Sequence, residues 1–112
     1  FDIVHGQAVG MMLPHVVRFN GEIEECRTAY SKLLDFGKLG QAENASDNAE
    51  RLAKHLAKLL ELTDMPVTLQ ASGVEEAKLP LLAEEASGQW TANFNPRKAG
   101  QAEMESIYRA AF

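Results

Sequence analysis

Few side chains in this sequence have chemistry to offer: three histidines, one cysteine and a scatter of carboxylates. His5 stands at the head of a long apolar segment and is followed by Gly6. An imidazole binds a metal through a neutral nitrogen, and the positive end of a helix dipole favours that neutral form. Gly6 allows close approach of backbone or cofactor, and it equally suits an ordinary turn. Asp2, three residues before His5, is placed either to orient the imidazole through a hydrogen bond or to cap the turn. His15 lies ten residues further on, about 15 Å along a helix axis, too far for both rings to reach one ion at bonds of about 2 Å. A lone histidine is more often structural than ligating, so the residues by themselves leave the role of His5 open.

The remaining candidates have plainer readings. His15, beside Pro14, reads as a core histidine satisfied by hydrogen bonds. His55 has Arg51 and Leu59 four residues to either side, neither an acidic nor an imidazole partner, and belongs at a surface or boundary. Cys26 falls on the apolar side of a helix, where a thiol is inert. Met11, Met12 and Met104 read as core filler. The acidic groups Glu22, Glu24 and Glu25, and Glu84 with Glu85, read as solvated helix faces. Arg97 is suited to an ion pair that fixes its loop, although from a cleft it could reach a cofactor or substrate.

Composition narrows the function classes. The 112 residues suffice for one domain with a core, and 46% of them are hydrophobic. Eleven basic and 16 acidic side chains leave a formal charge of -5, the wrong sign for a nucleic-acid partner, and no run of Lys or Arg offsets it. A single cysteine rules out an internal disulfide and a cysteine-based zinc cluster, which suits a reducing compartment. No apolar run approaches the roughly 18 residues of a membrane span, and no basic leader precedes the first hydrophobic segment. The expectation is a soluble cytoplasmic protein with no membrane partner. The chain meets its strongest motif within five residues of Phe1, which suggests the carboxyl-terminal part of something longer.

The elements that position these residues follow from periodicity. Residues 6–19 carry apolar side chains on every face, which predicts a helix buried all round, kinked at Pro14 and stopped by Asn20-Gly21 in left-handed conformations. From Glu22 to Phe36, Ile23, Cys26, Ala29, Tyr30, Leu33 and Leu34 recur at three and four and predict an amphipathic helix. Residues 37–45 read as a connection. Asp47 and Glu50 form a plausible capping box for a third helix over Asp47–Leu62, with Leu52, Leu56, Leu59 and Leu60 buried. A loop follows, in which Ser72 is placed to cap a turn with Glu75. Leu79, Leu81, Leu82 and Ala86 give a fourth helix its apolar side, with Gly88 as terminator. After the Asn95-Pro96-Arg97 loop, a last helix over Ala102–Ala111 buries Met104, Ile107, Tyr108 and Ala111. No alternating strand pattern or internal repeat interrupts this, so residues 1–112 read as a single all-α domain, a helical bundle.

The segment His5-Gly6-Gln7-Ala8-Val9-Gly10-Met11-Met12-Leu13-Pro14-His15-Val16-Val17-Arg18-Phe19-Asn20 resembles the metal-site helix of the iron-containing (group III) alcohol dehydrogenases. Further matches follow in order: Leu60–Leu69 with its Met65-Pro66, then Ser72-Gly73-Val74, Leu79–Ala83 and Asn95-Pro96-Arg97. The likeness covers nearly the whole chain, is weakest over Lys38–Ser46, and is to the helical carboxyl-terminal domain of the dehydroquinate synthase-like fold. It implies NAD(P)-dependent interconversion of an alcohol and an aldehyde or ketone, a small-molecule substrate, with iron or zinc polarising the substrate oxygen. By match to the motif, His5 is the last ligand of a metal site whose other ligands, an aspartate and two histidines, come earlier in such chains.

Neither those three ligands nor the glycine-rich loop of the amino-terminal nucleotide-binding domain lies in this sequence. The segment alone is therefore expected to be inactive, with the missing domain as its partner. The resemblance also implies a homo-oligomer. It leaves room for a maleylacetate reductase-like enzyme that needs no metal. From another class, a non-catalytic helical interaction module remains an alternative. Separated from its neighbour, the segment should expose the apolar surface of His5–Phe19.

Overall fold

The computed structural model describes residues 5–112. Among them are five α-helices and no strand: α1 (His5–Asn20), α2 (Glu24–Phe36), α3 (Asn48–Glu61), α4 (Leu79–Ser87) and α5 (Gln101–Ala111). The all-α reading holds. Short 3-10 turns at Ala45–Asp47, Glu76–Lys78 and Trp90–Phe94 join the helices. No helix of the described residues is long and apolar enough to cross a membrane.

The order of packing follows from α1. Pro14 lies within the helix and is buried, together with Met11, Val17 and Asn20 at the same three-residue spacing. Gly10 sits at the carbonyl that Pro14 deprives of a hydrogen bond. It also lets α1 approach Leu60 of α3, whose Cδ1 would stand 3.3 Å from an added Cβ. Eleven residues on, Gly21 meets Ala49, eleven residues before Leu60, and an added Cβ there would collide with the Ala49 methyl. These two glycine contacts define α1 and α3 as an antiparallel pair in close approach. Arg18 continues the register by donating to Glu50 through Nε at 2.8 Å and Nη2 at 3.1 Å. Around this pair, α2 packs on α3, α5 on α1, and α4 on α5.

Two core clusters result, and α1 contributes to both. Met11 joins Leu60, Leu69, Val74, Leu79 and Ala111, while Val17 joins Leu34, Ala49, Leu52 and Ala53. The loop before α4 is tied to the end of the chain where the Leu69 amide donates to the Ala111 carbonyl at 2.9 Å.

Several sequence-based expectations need correction. α1 is not buried all round: Val9 is 47% and Leu13 40% exposed. α2 reaches α3 through Tyr30 and Leu34, while Cys26 is buried, Leu33 is 53% exposed and Ala29 lies in solvent. Leu59 and Leu81 likewise face outward. The 3-10 turn delivers Asp47 in a helical conformation with no side-chain cap, and Glu50 is taken by Arg18, so the Asp47–Glu50 box does not form. Ser72 turns back instead of capping, donating to the Thr68 carbonyl at 3.0 Å and touching Met11 Sδ at 3.3 Å. Left-handed backbone occurs at Lys38, Gly40, Asp64 and Gly73, not at Asn20 or Gly21. Gly21 is needed for closeness, not for a turn.

Gly21→Ala should therefore destabilise the domain by about 1–3 kcal/mol through overpacking against Ala49. The check is urea unfolding of the two proteins at equal concentration; an unchanged midpoint would mean that α1 and α3 do not approach as described.

Candidate functional site

His5 opens the first turn of α1 and its side chain is exposed. From it, an open groove of about 520 Å3 runs along the helix. One wall is α1 itself, with Ala8, Val9, Met12, Leu13 and Val16. The other is built from Leu69 and Val74 of the loop, Leu82 and Glu85 of α4, and Tyr108 of α5. The lining is apolar except for His5, Glu85 and Tyr108. Burial, and next the Glu85 carboxylate, pushes the Tyr108 hydroxyl above its ordinary value, so Tyr108 is a neutral donor in physiological conditions.

Gly6 needs explaining. Its backbone is helical, its φ is not in the left-handed region, and an added Cβ would meet nothing within 4 Å. Nothing in the described residues requires glycine there, and it lies in a helix and not in a turn. Asp2, the other neighbour considered for His5, lies outside the described residues.

The donor set does not hold a metal by itself. No three His, Cys, Asp or Glu side chains come together as a metal cluster among the described residues. What the chain offers is one exposed imidazole on a packed helix, which suits one ligand of a site completed elsewhere and not a whole site.

The other candidates take the plainer roles. His15 is half-buried and its Nδ1 lies 3.5 Å from Arg18 Nη1, within the Arg18–Glu50 pair. Burial chiefly, and the Arg18 cation next, lowers its pKa, while Glu50 opposes the fall. His55 is half-buried beside Arg51, Lys54 and Lys58. Cys26 is buried, and burial raises its pKa further from the thiolate range, so it is unreactive. Met11 is fully buried, while Met12 and Met104 are half-buried.

Arg97 fixes its loop. It donates to the Phe19 carbonyl at 2.7 Å, pairs with Glu22 and lies 3.9 Å from the Phe19 ring centroid. Asn95 and Asn20 exchange side-chain amide bonds at 2.7 and 3.0 Å, so the Asn-Pro-Arg loop clamps the far end of α1. Glu85 and Tyr108 are the groove residues that sequence reasoning did not place there. Glu85 is exposed and Tyr108 packs on the core, as their sequence settings indicate, and the groove adds a shared position to both; the available signal for it was the apolar surplus of α1, which exceeds what one buried stripe needs.

Comparison with known proteins identifies the family. The model of the Fe-containing alcohol dehydrogenase family, C-terminal, matches residues 1–112. The chain is 33% identical over 113 residues to a 1,3-propanediol dehydrogenase of Citrobacter freundii, and the match covers 100% of the chain and 29% of that relative. It is 30% identical over 118 residues to an NADPH-dependent butanol dehydrogenase of Clostridium saccharobutylicum, again over 100% of the chain and 29% of the relative. An aldehyde-alcohol dehydrogenase 2 of Entamoeba histolytica is 27% identical over 128 residues, with 100% of the chain and 15% of the relative covered. The chain thus spans under a third of the length of these relatives. No solved structure matches it significantly.

The His15 environment predicts an acid-sensitive fold. The unfolded chain takes up a proton at His15 near its ordinary value of 6.5, whereas the folded ring resists protonation until lower pH. As pH falls below about 6.5 the unfolded state binds more protons, so stability drops, and it is regained above that value. Urea midpoints across this range should fall toward acid, less steeply in His15→Gln; equal slopes in the two proteins would take the effect away from His15.

Proposed function

The chain belongs to the Fe-containing alcohol dehydrogenase family, and on that footing we propose that it is the helical metal-site domain of an NAD(P)-dependent alcohol dehydrogenase. Its substrate class is a small alcohol and the corresponding aldehyde or ketone, the class to which the names of the propanediol and butanol relatives belong. The observation that carries this reading is the position of His5: an exposed imidazole at the start of a packed helix, beside a glycine that the described residues do not need.

In this reading His5 supplies one nitrogen ligand to iron or zinc, and the remaining ligands come from the part of the protein beyond this segment. The bound metal acts as a Lewis acid on the substrate oxygen. NAD or NADP would be held by a nucleotide-binding domain in the part of the protein beyond this segment. The work of this chain is to aim the imidazole and to dry its surroundings. Aim comes from α1, whose backbone is fixed by α3 through the two glycine contacts and by the Asn20–Asn95 clamp at its far end. Dryness comes from Val9, Met12 and Leu13, which leave water few hydrogen-bonding partners next to the ligand.

His5→Ala in the full-length protein should cut metal content and lower kcat/KM by at least about a hundredfold, since loss of groups that merely support a ligand already costs about 10–100-fold. His15→Ala should keep its metal. Elemental analysis with steady-state kinetics on both variants is the test. Full activity without metal in His5→Ala would overturn the ligand role and favour a metal-independent reductase.

A further inference from the structure

Asn20 and Gly21 stand side by side because two separate contacts require them. Asn20 closes the far end of α1: its Nδ2 donates to Asn95 Oδ1 at 3.0 Å and to the Tyr30 hydroxyl at 3.2 Å, and its Oδ1 accepts from Asn95 Nδ2 at 2.7 Å. Gly21 passes the Ala49 methyl where no Cβ fits. Together they make the one asparagine of this sequence that precedes a glycine. That pairing is chemically labile. A backbone nitrogen can attack the side-chain carbonyl carbon of the asparagine before it, and glycine, lacking a Cβ and free in its dihedrals, hinders the approach least. Asn44 and Asn48 precede alanine, Asn93 precedes phenylalanine, and Asn95 precedes proline, whose nitrogen has no proton to lose.

We propose that Asn20-Gly21 is a latent deamidation site, held unreactive by the clamp, at which opening of this end of α1 is made permanent by a covalent change. The Gly21 nitrogen loses its proton and bonds to Asn20 Cγ; the Cγ–Nδ2 bond breaks, and the amide group takes up the proton and leaves as ammonia. Water then adds to the cyclic imide. Cleavage at Cγ leaves aspartate, and cleavage at the main-chain carbonyl leaves isoaspartate. Water is the sole co-reactant, and nothing is oxidised or reduced.

The folded chain blocks each step. The Gly21 N–H donates to the Val17 carbonyl at 2.8 Å and so keeps its proton. The Asn20 side chain cannot turn toward its own backbone without breaking the three bonds that hold it. At 3% exposure it is also shielded from water. Once the reaction has occurred the closed state is not recovered. Aspartate at position 20 has no N–H for Asn95 or Tyr30 and would bury a carboxylate. Isoaspartate adds a carbon to the main chain next to Gly21, where the Ala49 methyl leaves no room. Because α1 contributes to both core clusters, either product weakens the whole domain. None of this depends on the role of His5.

The test uses the full-length protein, incubated at mildly alkaline pH and sampled by peptide mapping. Mass spectrometry reads the replacement of NH2 by OH at position 20, and chromatography separates aspartate from isoaspartate. Wild type, N95A and Y30F are compared under conditions where circular dichroism shows their helices intact, with urea-unfolded wild type as the reference; Y30F, which removes a single acceptor, serves should N95A fail to fold. Wild-type Asn20 should react about a hundredfold or more slowly folded than unfolded, because three side-chain hydrogen bonds must open together. N95A should raise the folded rate by about tenfold and Y30F by about threefold, in line with the bonds each removes. N20D, the product made directly, should unfold at lower urea than wild type. Equal folded and unfolded rates, no acceleration in the folded variants, or an unchanged N20D midpoint would each overturn the proposal.

Discussion

Burial of one narrow stripe on α1 is the constraint on which the domain is built. Met11, Pro14, Val17 and Asn20 recur every three residues, and all four are buried. The first part of the stripe belongs to one core cluster and Val17 to the other, so α1 is a beam passing through both. Remove it and Leu60, Leu79 and Ala111 lose their common neighbour, as do Leu34, Leu52 and Ala53. Its two ends are treated differently. At the far end, Asn20 is nearly inaccessible, yet its amide is satisfied by Asn95 and the Tyr30 hydroxyl, which avoids the penalty of an unpaired buried amide. At the near end, His5 is exposed.

The helices were legible because their apolar residues keep a helical period over at least two turns. α1, α3 and α5 begin and end within one residue of the limits that periodicity sets. What could not be read depends on competition between partners distant in sequence. Glu50 has the spacing of a capping residue but meets Arg18, 32 residues away, and Ser72 meets Met11, 61 residues away. The cap that does form uses Gly100, whose amide donates to Glu103 at 3.1 Å, and glycine gives no side-chain signal for it. The apparently aperiodic connection after α2 is held by Asn48, which binds Ala42, Gln41 and Ser31 with one amide. Three-residue 3-10 turns have no period to detect.

The candidate site was legible in a different sense. His5 was singled out through its setting, His-Gly at the head of an apolar helix, and the resemblance to the family was drawn on that setting. Geometry adds why the setting matters. A side chain on a helix can be no better placed than the helix, and α1 is placed by a contact that glycine alone permits at position 21 and one that glycine eases at position 10. Glu85 and Tyr108 could not be assigned to the same groove from sequence, because α4 and α5 meet α1 only after the chain has folded back. Nor could Arg97 be separated from a cofactor-binding arginine until its three contacts around Phe19 and Glu22 were seen.

The mismatch between the apolar excess of α1 and its exposed strip is itself informative. Residues that face water in a slab two helices thick gain nothing from being Val or Leu, whereas Lys or Glu would keep the helix and improve solubility. The same holds for Gly6, which lowers helix stability by roughly 0.5–1 kcal/mol relative to Ala and meets no neighbour here that would demand it. Both features make physical sense if further protein packs over the His5 end of α1 and a group approaches the backbone at Gly6. Stability alone would favour Ala at position 6 and polar side chains at 9 and 13. The helix therefore carries two requirements at once. Its stripe of Met11, Pro14 and Val17 serves this domain, and its opposite strip, with the histidine at its head, stays open among the described residues.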